Sequence, residues 1–192
     1  MNALVSVYMW AVWGLFIGLG SAPLVLILTI LPRRLSFPVA RLYCKLGLGL
    51  AGVRVRVKGL EHLDRTKPYI LMPNHVSLLD AFVFCTAFPV PVRGLEKREN
   101  FKIPVYGWLM ARYGQIPIDR TNTEQAKRDL SDAARILHQG GTWVIILPEG
   151  TRSRDGRVGP FKKGGFHLAL ETGVDIVPVS QNGSREVLRT VL

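Results

Sequence analysis

Two residue types that can move a proton stand five positions apart in residues 74–80 (NHVSLLD). An imidazole that is hydrogen-bonded to a carboxylate through one ring nitrogen keeps its other nitrogen ready to accept a proton. His75 and Asp80 are therefore candidate catalytic residues, with His75 as a general base and Asp80 orienting its ring. The same spacing also fits a capping box, in which Asp80 satisfies only the first backbone donors of a helix that begins near Ser77. Both interpretations are open at this stage.

The flanking residues place this segment where a strand passes into a helix. The apolar run at residues 69–72 predicts a buried strand that Pro73 ends. The apolar run at residues 81–85 continues the helix. Chemistry in α/β folds is commonly found where strands end in this way.

The rest of the chain alternates between strand and helix patterns. Asn122 is a predicted N-cap, and Gly140-Gly141 ends the helix that follows it. Strands are predicted at residues 53–58, 69–72, 115–118, 143–147 and 175–179, and helices at residues 36–49, 123–138 and 163–171. This alternation predicts an α/β fold in which a mixed sheet is covered by helices.

Residues 3–31 form a long segment without charged side chains, long enough for a helix to cross a bilayer core. Its glycines and Pro23 leave a kinked or re-entrant segment in one leaflet as an open alternative. Arg33 and Arg34 follow directly, and they predict that the remainder of the chain stays on the cytoplasmic side. A cleaved signal peptide fits poorly, because no basic residue precedes the apolar run.

Residues 36–49 predict an amphipathic helix with Ser36 as its N-cap. Arg41 and Lys45 lie opposite an apolar face formed by Val39, Leu42, Tyr43, Leu46 and Leu50. A helix of this kind suits a membrane interface, and an ordinary core-packing helix is the alternative. Residues 1–51 are accordingly assigned to a membrane anchor and residues 52–192 to a catalytic domain.

Charge and hydropathy together favour a membrane partner over a nucleic acid. The net charge is +11, yet the mean hydropathy is +0.20, and no array of basic and aromatic residues is present. Cys44 and Cys85 lie in apolar stretches and are interpreted as reduced, packed side chains. The remaining histidines lack metal-ligand spacing; they are His62, His138 and His167.

Three further segments lie at predicted strands. Residues 114–120 (GQIPIDR) and 148–153 (PEGTRS) place polar groups at the ends of strands, whereas residues 177–179 (VPV) are apolar. Gly150 allows a ligand to approach the backbone, and Arg152 offers a planar fork for a phosphate or carboxylate. Taken singly, each segment also fits a turn, a surface ion pair or an edge strand.

In this order, the four segments resemble the glycerolipid acyltransferase family, whose bacterial-type members, the 1-acyl-sn-glycerol-3-phosphate acyltransferases, make phosphatidic acid from lysophosphatidic acid. The resemblance covers roughly residues 55–180 and extends to residues 97–108 and 161–164. Val76, Pro117 and Leu147 depart from residues that are common in the family. The chain stops at Leu192, where relatives usually continue, which fits a truncated chain or a short member.

The resemblance implies a membrane-bound enzyme of phospholipid biosynthesis at a bacterial inner membrane. The implied donor is acyl-CoA or acyl-carrier protein, and the implied partners are membrane phospholipids and a lysophospholipid acceptor, with no cofactor and no metal. His75 and Asp80 are the implied catalytic residues. The implied substrate-binding residues are Asn74, Lys97, Arg120, Glu149, Gly150, Thr151 and Arg152.

Two alternatives stay open. A relative could acylate another lysolipid or an aminolipid, and Val76 and Pro117 are where such a preference is expected to be encoded. A membrane protein that binds lipid without catalysis is the second alternative, and the presence of both His75 and Asp80 argues against it.

Overall fold

Five short strands form one sheet in the computed structural model, which describes residues 3–153 and 155–187. In chain order they are β1 (Ile70–Pro73), β2 (Val92–Lys97), β3 (Ile116–Ile118), β4 (Trp143–Ile145) and β5 (Ile176–Val179). Their order across the sheet is β3-β2-β4-β1-β5, and every described pairing is parallel. The α/β prediction is confirmed. The expected mixed character of the sheet is wrong, because a helix follows each of the first four strands and returns the chain to the same edge.

The described helices are α1 (Ala3–Ile30), α2 (Arg33–Leu50), α3 (Asp80–Ala87), α4 (Tyr106–Tyr113), α5 (Thr123–Gln139), α6 (Gly164–Thr172) and α7 (Ser184–Val187), with short 3-10 turns at Leu60–His62 and Arg98–Lys102. Side chains of β1 alternate between the two faces of the sheet. Ile70 packs with Leu137 of α5 and Leu168 of α6, whereas Leu71 packs with Phe84 of α3. Helices therefore cover both faces, as expected for a parallel sheet.

Helix α1 packs against α2, α3 and α4 over much of its length. The rings of Trp13 and Phe82 of α3 are 4.7 Å apart, and Phe16 stacks on Tyr43 of α2 at 4.5 Å. At the other end of the helix, the guanidinium of Arg112 donates to the carbonyls of Leu28 and Thr29. The stretch Trp10–Ile30 is long and apolar enough to cross a bilayer by length and composition, with a mean hydropathy of 2.1.

Helix α2 begins at Arg33, three residues before the expected N-cap. Ser36 is buried inside the helix rather than capping it, so that prediction is wrong. The first turn closes through Leu35 N–H and Pro32 O at 2.9 Å, and this bond does not require a side-chain cap. Pro38 is accommodated within the helix at the loss of one backbone donor.

The core-packing and membrane-interface interpretations of α2 each describe one of its faces. Ala40 and Leu48 are buried, and Tyr43 is partly buried against α1. Four leucines on the opposite side are exposed: Leu35, Leu42, Leu46 and Leu50. The helix thus packs on the domain with one face and presents a second, apolar face outward.

Two other expectations need correction, and two elements have no counterpart among the predicted ones. Residues 53–58 belong to no strand, because no described strand pairs with them. Their burial alternates only over residues 53–56. The helix after residue 75 begins at Asp80 rather than near Ser77. Strand β2 and helix α4 were not predicted, because Arg93 and Gly94 interrupt the apolar pattern of the first and the second has only eight residues.

Because the strands are parallel, their carboxyl ends share one edge of the sheet. Residues 74–80, Lys97, Arg120, residues 149–152 and residue 181 all follow or end these strands. The fold therefore brings segments that are far apart in the sequence to a single edge.

Candidate active site

His75 and Asp80 are in direct contact at this edge. The Nδ1 atom of His75 lies 2.7 Å from Oδ2 of Asp80, and the two side chains are 21% and 2% exposed. Since a carboxylate can only accept, the proton of this bond belongs to Nδ1, which leaves Nε2 as the nitrogen that can take a proton. The arrangement suits a general base, and the catalytic role of the two residues stays a prediction.

Asp80 also caps the backbone that leads into α3. Its Oδ2 atom accepts the N–H groups of Val76 at 2.9 Å and of Ser77 at 3.1 Å. The hydroxyl of Ser77 in turn accepts the N–H of Leu79 at 3.2 Å. The capping and dyad interpretations are therefore compatible, because one carboxylate oxygen performs both roles.

The segment after β4 holds the backbone of His75 from both sides. Glu149 is buried, and its Oε1 atom accepts the N–H of His75 at 3.0 Å. The N–H of Ser153 donates to the carbonyl of His75 at 2.8 Å. The other oxygen of Glu149 accepts the N–H of Gly159 at 2.8 Å. Glu149 thus binds backbone, and its expected contact with substrate stays a prediction.

Asn74 is similarly engaged with the segment after β5. Its Nδ2 donates to the carbonyl of Gln181 at 3.0 Å, and its Oδ1 accepts the N–H of Gln181 at 2.7 Å. This pair of bonds joins the ends of β1 and β5. A substrate contact by Asn74 also stays a prediction.

Cationic side chains gather around Gly150. Arg120 is exposed and donates from its guanidinium to the carbonyl of Gly150 at 2.6 Å. Gly150 has a φ of +69°, and a Cβ atom there would lie 2.7 Å from the Lys162 side chain, so that lysine packs directly over it. The Nη1 atom of the Arg152 guanidinium is buried without a hydrogen-bond partner among the described residues. Arg120 and Lys162 thus place positive charge at Gly150, and Arg152 stands two residues further along the same loop.

The other expected site residues lie further toward solvent. Lys97 ends β2 with its side chain half exposed, 3.8 Å from a carboxylate oxygen of Glu99. Thr151 is exposed. Their proposed contacts with substrate stay predictions.

A cavity of about 200 Å³ opens beside these cations on the side of the sheet covered by α5 and α6. Arg120, Gly150 and Lys162 are among its polar lining. Its apolar lining includes Leu95, Ile118, Leu130, Ile146 and Leu147. An amphiphile with an anionic group would match this combination of surfaces.

A buried carboxylate fixes the loop that carries Arg120. Asp129 of α5 accepts from the guanidinium of Arg98, from Gln125 Nε2 at 2.8 Å and from the N–H of Asp119 at 2.8 Å. Burial acts to raise the pKa of Asp129, but these hydrogen bonds and the charge of Arg98 outweigh it and hold the pKa below its ordinary value. The ends of β2 and β3 are thereby tied to α5.

Comparison with known proteins accounts for this arrangement. A sequence model of the family described as Acyltransferase matches residues 54–182, well over half of the chain. The chain belongs to this acyltransferase family. The resemblance inferred from the four ordered motifs is therefore confirmed.

Individual relatives carry a more specific name. The chain is 32% identical over 185 residues to the 1-acyl-sn-glycerol-3-phosphate acyltransferase of Pseudomonas aeruginosa. This alignment covers 94% of this chain and 67% of that protein. It is 38% identical over 133 residues to the protein of the same name from Limnanthes douglasii. This alignment covers 69% of this chain, but it spans only 47% of the length of that relative. The crystal structure of the 1-acyl-sn-glycerophosphate acyltransferase PlsC from Thermotoga maritima matches with a TM-score of 0.78 and 26% identity over 99% of this chain and 78% of that chain.

Two further residues lie at this site that the sequence alone does not assign to it. Lys162 belongs to the segment 161–164, and its side chain packs over Gly150. Gln181 is buried and donates to Asp80. Its place just after β5 was an available signal, because polar residues that follow parallel strands reach the same edge.

Proposed function

We propose that this chain transfers a fatty acyl group from a thioester to the free hydroxyl of lysophosphatidic acid, giving phosphatidic acid. The observation that carries the proposal is the 2.7 Å contact between His75 Nδ1 and Asp80 Oδ2, with the imidazole partly open at the carboxyl edge of the sheet. The names of the relatives support the choice of acceptor. Acyl-CoA or acyl-carrier protein serves as the donor.

In the proposed reaction, Nε2 of His75 removes the proton of the acceptor hydroxyl while the hydroxyl oxygen attacks the thioester carbonyl carbon. The resulting tetrahedral intermediate collapses as its C–S bond breaks, and the leaving thiolate takes the proton back from the imidazolium. Asp80 keeps the ring oriented and stabilises its transient positive charge. General-base assistance of this kind contributes a rate factor of roughly 10²–10⁴.

Direct transfer is favoured over an acyl-enzyme intermediate by the positions of the nearest nucleophile types. Ser77 is almost fully buried, and its hydroxyl accepts the N–H of Leu79. Cys85 is buried inside α3, 3.7 Å from the hydroxyl of Tyr113. Neither side chain is placed to attack a thioester that reaches His75 from solvent.

The phosphate of the acceptor is assigned to the cations around Gly150. Arg152 and Arg120 supply planar forks, and Lys162 adds a point charge to the same loop. The buried, unpaired nitrogen of Arg152 supports its role, because a desolvated donor gains most from an anionic partner.

The membrane assignment rests on α1 and α2. The inner face of α1 packs on the rest of the chain from Trp13 to Thr29, which supports a helix that stays with the domain rather than one that crosses the bilayer alone. We therefore place both helices in the cytoplasmic leaflet of a bacterial inner membrane, as an anchor that presents the site to lipid. The side chains that would face acyl chains are Leu15, Ile17, Leu19, Leu26, Ile30, Leu35, Leu42, Leu46 and Leu50.

A different acceptor is the alternative that the site favours most. Leu147 lines the cavity, Pro117 lies in β3, and Val76 directly follows His75. All three depart from the family pattern, so a lysolipid with another headgroup or an aminolipid is the second candidate substrate.

The deciding experiment measures thiol release from acyl-CoA and from acyl-carrier protein with a panel of acceptors. Wild type is compared with His75→Ala, and His167→Ala on the exposed side of α6 is the matched control. We expect lysophosphatidic acid to stimulate release in wild type and in the control, and not in His75→Ala. Near-normal turnover by His75→Ala would eliminate the base assignment. Failure of every acceptor with wild type would instead favour a non-catalytic lipid-binding protein.

The anchor is tested by substitution rather than deletion, because removing α1 would uncover Phe82 of α3. Leu42→Gln with Leu46→Gln changes two exposed leucines of α2, and Leu170→Gln changes an exposed leucine of α6 as the control. We expect the double variant to lose activity on acceptor in vesicles but to keep activity on a short-chain soluble acceptor. Equal loss on both acceptors would contradict the proposed anchor.

A further inference from the structure

Both oxygens of the Asp80 carboxylate are hydrogen-bonded, and the two sets of donors come from different parts of the chain. The Oδ2 atom faces His75 and the backbone of its own loop. The Oδ1 atom accepts from Gln181 Nε2 at 2.6 Å and lies 3.4 Å from the hydroxyl of Ser184. Gln181 and Ser184 follow β5, about a hundred residues further along the chain.

Gln181 is well placed to hold this carboxylate. Its side chain is buried, and its own backbone is fixed by the two hydrogen bonds to Asn74. The side-chain amide of Gln181 also meets the hydroxyl of Ser184 at the start of α7. Gln181 therefore contacts both the residue that precedes the candidate base and the residue that orients it.

The terminal torsion of an aspartate is soft, so its carboxylate plane needs external donors to stay in one orientation. If Oδ1 lacked a partner, rotation of the carboxylate would move Oδ2 out of line with Nδ1 of His75. A hydrogen bond from a buried amide to a charged oxygen is strong enough to prevent this rotation.

We propose that Gln181 is a positioning residue of the His75–Asp80 dyad, acting on acyl transfer through its hydrogen bond to Asp80. This inference rests on the proposed function. It predicts an effect on turnover rather than on acceptor binding, because Gln181 does not belong to the cationic loop around Gly150. No sequence motif marks the residue, since its partner Asp80 lies 101 positions away.

The test replaces Gln181 with methionine, which has a similar shape but no donor. The matched control is Gln125→Met, because Gln125 Nε2 also donates to a buried aspartate, Asp129, at 2.8 Å. We expect kcat of Gln181→Met to fall about ten- to a hundredfold with the KM for acceptor nearly unchanged. The control should lose stability without this loss of kcat.

Two further measurements separate positioning from a general structural role. In an Asp80→Asn background, Gln181→Met should change the residual kcat by less than about twofold, because its effect passes through the Asp80 carboxylate. In NMR spectra, the downfield Nδ1–H resonance of His75 should shift or broaden in Gln181→Met and stay in place in Gln125→Met. A wild-type kcat or an unmoved resonance in Gln181→Met would overturn the inference.

The inference and the proposed function can fail separately. Wild type that releases no thiol with any acceptor would refute the function, and the resonance of His75 would then decide the role of Gln181. Should Gln181→Met not fold, Gln181→Asn keeps the amide but shortens the side chain by one methylene and so withdraws the donor from Oδ1 of Asp80. A loss of kcat without a change of KM in Gln181→Asn supports the proposal, and unchanged kcat contradicts it.

Discussion

The Oε1 atom of Glu149 accepts a hydrogen bond at 3.0 Å from the backbone N–H of His75, which lies 74 residues earlier in the chain. The second oxygen, Oε2, accepts the N–H of Gly159 at 2.8 Å. A carboxylate in a motif that the resemblance assigns to substrate binding is thus occupied with two backbone donors. This arrangement suggests that Glu149 fixes the position of the candidate base.

Glu149→Gln tests this interpretation. A glutamine can accept with one atom only, and its NH₂ group would face a second backbone N–H group. We expect kcat to fall about tenfold or more and stability to drop by about 1–3 kcal/mol, because a buried donor loses its acceptor. Steady-state kinetics and thermal unfolding in detergent check both values.

Glu61→Gln, at an exposed position, serves as the control for this substitution. Glu149→Gln could instead raise the KM for acceptor and leave kcat and stability unchanged. That result would show that the carboxylate binds substrate.

Much of the site could be predicted from local sequence patterns. The contact between His75 and Asp80 follows from their spacing around a helix start, and the cap of α5 by Asn122, which accepts the N–H of Gln125 at 3.0 Å, follows from residue preference. Each of these features depends on residues within a few positions of one another.

Features that depend on distant partners could not be predicted in the same way. Residues 53–58 have the alternation of a strand, but alternation does not supply a neighbouring strand. The bond from Gln181 to Asp80 and the clamp of Glu149 on His75 exist only because the sheet brings these segments together. Local patterns indicate which residues are polar and not which partner each one finds.

The two arginines beside Gly150 should differ in their effect on acceptor binding. Arg152 carries a buried nitrogen without a partner among the described residues, whereas Arg120 is exposed and already bonded to a carbonyl. We expect Arg152→Lys to raise the KM for lysophosphatidic acid by about tenfold or more, and Arg120→Lys by a smaller factor.

Arg135→Lys, on the exposed face of α5, is the control for the arginine series and should leave the KM unchanged. Equal effects of Arg152→Lys and Arg120→Lys would contradict a special role for the buried guanidinium. Kinetics at several acceptor concentrations distinguish these outcomes.

Two glycines of α2 offer a test of the contact between anchor and domain. A Cβ atom at Gly47 would lie 2.7 Å from Phe16 of α1 and 3.0 Å from Phe82 of α3, while Gly49 has open space. We expect Gly47→Ala to destabilise the protein by about 1–3 kcal/mol through overpacking. Gly49→Ala should be neutral or stabilise it by up to about 1 kcal/mol, because alanine favours helix. Unfolding in detergent micelles measures both, and matching effects would refute close packing of α1, α2 and α3.

Asp129 should give the protein part of its resistance to acid. Its pKa is held below the ordinary value of 3.8, so the folded state binds fewer protons than the unfolded state as the pH falls. Its contribution is complete above about pH 4 and is lost as the pH falls through the lowered folded-state pKa. We expect Asp129→Asn to be less stable than wild type by about 1–2 kcal/mol at pH 7, because bonds to a charged acceptor are weakened.

This gap in the free energy of unfolding between Asp129→Asn and wild type should narrow below about pH 4 in denaturant titrations at several pH values. Asp132→Asn breaks only an exposed pair on α5 and should change little at any pH, and a gap for Asp129→Asn that stays constant with pH would contradict the assignment.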